Sequence, residues 1–172
     1  MIRTRREVER LLLVIDDSPS CVNAVKYTAK MLGHRRGFRI HLLHLLPPLP
    51  PELLEFGGSE NPRKERQLEA ELRREQQEWI ASAQKSAGPT LDTSAKLLHQ
   101  AGIPNRNVIR EFSYPTEPRD AARTVLDQAT ADHCRTVVLA HRAHSWFREL
   151  VGADLAEQIL RLAHGVSVWV VQ

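Results

Sequence analysis

Histidines, acids and cysteines carry what chemistry this chain could perform, and their spacing limits what each can do. His141, His144 and Asp154 follow one apolar run, TVVLA (136–140). Imidazole with carboxylate is a donor set for transition metals. No ligand spacing of a closed zinc site fixes these three, so the histidines read as surface residues, Asp154 with Glu157 three residues on reads as the N-cap of the last helix, and no metal is expected on them. His41 and His44 lie three apart in a stretch of strand character. They therefore face opposite sides and cannot share an ion. His133 adjoins Cys134, a base beside a nucleophile, but chain neighbours rarely point at each other, so no catalytic pair is expected. Two scattered cysteines, Cys21 and Cys134, make neither a disulfide scaffold nor a zinc site and read as small core residues. No Ser-His-Asp order, His-Glu-x-x-His or GxxxxGK[ST] stands in the sequence, and the chain is not expected to be an enzyme. Trp79, Trp146 and Trp169 read as packing residues. Trp146, placed in a loop, is also a candidate partner contact.

The elements that must position these residues are legible as apolar runs. LLLVIDDS (11–18) is continuous rather than alternating, as for a strand buried on both faces. Ser18 is an N-cap and Pro19 opens a helix carrying Val22, Val25, Ala29 and Leu32, closed by Gly33. FRIHLLHLL (38–46) is a second strand, ended by PPLPP (47–51), a stiff connection. Glu52 to Pro62 reads as an exposed loop. A long helix spans 64–87, with Leu68, Leu72, Trp79 and Ala83 on one stripe. Gly88-Pro89 is expected to break it. Leu91, Ala95 and Leu98 then continue a helical face up to Gly102. NVIREFS (107–113) is a third strand, and Thr116 starts a helix with Ala121, Ala122, Val125, Leu126 and Ala129. RTVVLAH (135–141) is a fourth strand, followed by a loop, a helix from Leu155 to Ala163, and a last strand, VSVWVVQ (166–172).

Strands alternating with helices imply right-handed crossovers and an α/β fold with a five-stranded parallel sheet and helices on both faces. Ligands of such sheets bind outside the carboxyl ends of the strands, where strand order reverses. That cleft would be lined by Asp16 to Ser18 and by the loop after the fourth strand.

At 172 residues the chain is expected to form a single domain. Its formal net charge of +3 comes from interleaved acids and bases, such as Lys64-Glu65-Arg66, without a dense basic run or a stacking platform. Nucleic acid is therefore not an expected partner. No apolar run approaches the ~20 residues of a membrane span, and Leu11 to Ile15 is too short for a signal peptide. Membrane insertion is not expected, and the expected location is cytoplasmic.

Four segments together resemble the universal stress protein family over nearly the whole chain: VIDDS (14–18), IHLLHLLPP (40–48), LLHQAGIP (97–104) and TVVLAHRAHSWFRELVGADLAEQILRLAHGVSVWVVQ (136–172). The resemblance implies a Rossmann-like, adenine nucleotide alpha hydrolase-like domain over 1–172. Nucleotide-binding members of the family carry Gly, two residues, Gly, nine residues, then Gly followed by Ser or Thr. Laid without a gap, those positions fall on Ala140, Ala143, Ala153 and Asp154. Gly152 lies one residue early, and shifting the frame would spoil the match of the last helix and strand. Asp16 matches the family's adenosine-side aspartate. The expectation is thus a vestigial nucleotide cleft at Asp16, Ala140, Ala143, Ala153 and Asp154, holding no cofactor, in a stress-response or regulatory protein without nucleotide turnover. The alternatives are a member that binds ATP or AMP through a rebuilt loop and an accessory subunit that docks on a transporter or enzyme. The last strand, at a sheet edge, is expected to pair two copies into a homodimer.

Overall fold

Continuous apolarity in the first strand is satisfied by cover on both sides. The computed structural model describes residues 8–33, 35–54, 58, 60–141 and 145–172. Its elements in chain order are β1 (Glu9–Ile15), α1 (Pro19–Leu32), β2 (Phe38–Leu45), α2 (Pro62–Gln100), β3 (Val108–Ser113), α3 (Ala121–Ala131), β4 (Thr136–Ala140), α4 (Ser145–Val151), α5 (Leu155–Leu162) and β5 (Ser167–Val171). The strands form one parallel sheet in the order β3-β2-β1-β4-β5. Leu11, Leu13, Ile15, Ile40 and Leu42 pack against α1 and the C-terminal half of α2. Leu12, Val14, Leu43 and Leu45 pack against α3, α4 and α5. Each such leucine contributes about 1.5–3 kcal/mol by leaving water. No helix among the described residues is long and apolar enough to cross a membrane.

Three sequence expectations are corrected. Gly88-Pro89 does not break the helix, and α2 runs unbroken through both residues. An interior proline costs about 3 kcal/mol through a lost hydrogen bond and a clash with the preceding turn. Ala87, Leu91, Ala95 and Leu98 form one buried face across that point. Leu91 and Leu98 alone offset about 3–6 kcal/mol, so continuity wins. The stretch after β4 is not all loop, because 145–151 is helix α4, anchored by Phe147 at 1% exposure. Thr116 does not start α3. A 3-10 turn at Pro118–Asp120 precedes it, and the helix proper begins at Ala121.

The connection after β2 is a short 3-10 turn at Pro51–Leu53, tied to α2 where Gln76 Nε2 donates to the Leu53 carbonyl at 2.7 Å. At the other end, Gly102 takes φ +91° and Ile103 N–H reaches back to the Leu98 carbonyl, so glycine ends α2 as its position implied.

Candidate functional site

β1 and β4 are neighbours, and the chain leaves them in opposite directions along the sheet. The crevice outside their carboxyl ends is therefore the place where ligands of this architecture bind. Asp16 follows β1 and is 8% exposed. Its Oδ1 accepts from Ser18 N at 3.0 Å and from Ser18 Oγ at 2.5 Å. Ser18 Oγ in turn accepts from Cys21 N at 3.2 Å and caps α1. The aspartate thus organises the turn that carries it. Asp17 is tied to α2, with the Thr90 hydroxyl donating to its Oδ1.

Two cavities flank this tie and share Asp16, Asp17 and Ser18. The larger, about 490 Å³, has apolar walls from Leu46, Pro47, Ala83, Ala87 and Trp146. The smaller, about 220 Å³, is edged by Pro89, Thr90, Thr93 and Ser94. His44 lines the larger one with its side chain 8% exposed. Neither of its ring nitrogens has a hydrogen-bond partner among the described residues, and Nε2 is 4.0 Å from Asp17 Oδ1. Burial lowers the His44 pKa, outweighing the opposing pull of Asp17 and Asp16. Burial thus favours the neutral imidazole. Trp146 sits on α4 rather than in a loop, edge-on to Phe147 with ring centroids 6.0 Å apart. Its indole forms part of the cavity wall.

The β4 side of the crevice is built differently. Ala140 ends the strand, 1% exposed. His141 Nδ1 lies 3.4 Å from Asp154 Oδ2. Asp154 Oδ1 accepts from Ala156 N at 2.8 Å and caps α5. Two of the trio His141, His144 and Asp154 thus meet, while His144 lies outside the described residues, as do Arg142 and Ala143. Neither Ala140 nor Ala153 has a positive φ. Among the described residues here the left-handed one is Gly152, φ +71°, whose N–H donates to the Arg148 carbonyl at 2.9 Å and closes α4.

The cysteines stand apart from this chemistry. Cys21 and Cys134 are free and buried, and burial pushes both thiols up to about 12. Neither is a nucleophile at neutral pH. His41 and His44 do face opposite sheet layers. His41 meets Glu111 and Asp132 on the α3 side, a grouping that the sequence reading did not find. The available signal was an imidazole within an apolar run, which needs a buried partner.

The universal stress protein family model matches residues 7–172. The chain belongs to the universal stress protein family. No curated protein matches it. Among solved structures, universal stress protein UspA from Lactobacillus plantarum is 14% identical with a TM-score of 0.62, covering 96% of this chain and 99% of that one. The universal stress protein from Archaeoglobus fulgidus in complex with dAMP is 15% identical at a TM-score of 0.58, covering 95% and 98%. A universal stress protein in complex with cAMP is 12% identical at 0.59, covering 95% and 97%. At these identities the likeness establishes the universal stress protein fold.

Proposed function

We propose that this universal stress protein is a cytoplasmic stress-response regulator that works without nucleotide turnover and holds no nucleotide tightly. The observation that supports this is Asp154. Where nucleotide-binding members of the family carry a hydroxyl residue, this chain presents a carboxylate that already caps α5. A helix N-terminus favours an anion, and the aspartate supplies it. A phosphate brought to about 4 Å would meet a repulsion of about 4 kcal/mol at an effective dielectric of 20, close to a thousandfold in affinity. Ala140 and Ala153, where those members carry glycine, lack the left-handed conformation that aims backbone donors at a phosphate. His141 beside Asp154 offsets part of the repulsion.

Calorimetry with ATP, ADP and AMP in magnesium buffer tests the reading. No dissociation constant tighter than about millimolar is expected, and a micromolar value for any of them overturns it. A variant with Ala140, Ala143 and Ala153 changed to Gly and Asp154→Ser should gain affinity. The second reading, adenine-nucleotide binding through a rebuilt loop, is favoured by the cavity of about 490 Å³ beside Asp16 and by the dAMP complex of the Archaeoglobus fulgidus relative. A pocket of that volume suits a small molecule. The same titration separates the two.

A further inference from the structure

On the α3 side of the sheet, three metal-ligating side chains from three parts of the sequence converge. His41 lies on β2 and Glu111 on β3, where Ile109 is the partner of His41 and Glu111 the partner of Leu43. The two side chains are therefore diagonal neighbours on one face. Asp132 follows α3, and the chain then turns back through His133 at φ +54°, with Cys134 N–H donating to the Ala129 carbonyl at 2.7 Å. That turn sets the Asp132 carboxylate beside His41. His41 Nδ1 is 3.0 Å from Glu111 Oε1 and 3.5 Å from Asp132 Oδ2. One donor atom from each residue lies within 4.8 Å of the other two.

We propose that His41, Glu111 and Asp132 form a binding site for a divalent first-row transition metal, with zinc as the test ion. Tetrahedral zinc with bonds of about 2.0–2.1 Å spaces its ligand atoms about 3.3 Å apart. The separations of 3.0 and 3.5 Å from His41 Nδ1 bracket that value, and the third pair of ligand atoms, one from each carboxylate, lies within 4.8 Å. One imidazole and two carboxylates suit a borderline cation, and the two negative charges offset its charge. Gln128 Nε2 donates to Asp132 Oδ2 at 2.8 Å and to Glu111 Oε2 at 3.4 Å, which holds both carboxylates in place. The imidazole is 5% exposed and the carboxylates 21% and 18%. The nitrogen is thus anchored inside while the oxygens keep a side open to solvent for entry and a fourth ligand.

Two features set the strength of the site. Arg10 donates to the Asp132 main-chain carbonyl at 3.0 Å and brings a positive charge close. His41 Nε2 has no hydrogen-bond partner among the described residues, so the outer hydrogen bond that usually fixes a ligating imidazole is missing. Loss of such a bond weakens a metal site by about 10–100-fold. The expected affinity is therefore on the order of micromolar rather than nanomolar.

The experiment is calorimetric titration of zinc chloride into the full-length, untagged, chelator-treated protein, paired with cobalt(II) absorption spectra. The expected result is one equivalent bound at about micromolar Kd, with intense visible cobalt bands of low coordination number. Glu111→Gln and Asp132→Asn keep the side-chain shape and one acceptor oxygen while removing the charge, and each should weaken binding at least tenfold. His99→Ala, an exposed control on α2, should not. Undiminished binding in both variants overturns the proposal. So does a wild-type protein that takes up no zinc or gives only the weak spectrum of hydrated cobalt, a result that needs no variant to fold.

Discussion

His44 is a buried base with no hydrogen-bond partner among the described residues, and such a group costs about 1–3 kcal/mol relative to a paired one. Phe112 lies against it, with ring centroids 6.2 Å apart. Because burial lowers its pKa below the ordinary 6.5, the unfolded chain takes up a proton that the native chain resists. The unfolded state therefore binds more protons below about pH 6.5, and stability falls as pH drops through that point. Urea unfolding of the wild type and of His44→Gln at about pH 7.5 and 5.5 should show a larger acid loss in the wild type. Identical losses would mean that His44 does not titrate as its burial requires. Asp154 is the contrasting residue. Its cap was readable from one position of sequence, because an acid before Leu155 and three residues ahead of Glu157 is a local pattern.

α2 is the element in which local and long-range physics disagree. Replacing Pro89 with Ala restores an amide donor inside a continuous helix. Pro89→Ala should stabilise the protein by about 1–3 kcal/mol, read from the denaturant midpoint. A loss of stability would mean that the proline ring makes a contact worth more than the missing bond. The strands were legible because Leu11–Ile15 and Val137–Ala140 are apolar without alternation, and only a doubly covered sheet satisfies that. The unbroken α2 was not, because the buried face that overrides Gly88-Pro89 is supplied by the sheet and α1. Helix α4 was hidden for a similar reason, since Trp146-Phe147 makes sense only once the cavity and the α3 layer exist. The grouping of His41 with Glu111 spans 70 residues, and no local spacing reports such a contact.

At the scale of the whole molecule, β5 closes one end of the sheet, and no strand lies beyond it among the described residues. Val168, Trp169, Val170 and Val171 are only partly buried, and no proline or lysine interrupts them. An apolar edge of this kind is a template for pairing. A two-fold homodimer in which the 166–172 strands meet is the expected assembly. Light scattering should give twice the chain mass at about micromolar concentration, and Val168→Lys should give a monomer. A monomeric wild type, or an intact dimer in the variant, removes the idea. The 39 residues of α2 add a mechanical property. At 1.5 Å per residue the helix is about 58 Å long, with about 40 Å of it between Pro89 and Pro62. Ala83, Ser86 and Ala87 line the larger cavity and Pro89 and Thr90 the smaller, so the proline lies where the long arm of the helix leaves the cleft. A rotation of about 5° there moves the far tip by about 3.5 Å. A bend of that size at the cleft would thus be amplified, at the other end of the arm, into a displacement large enough to make or break a contact.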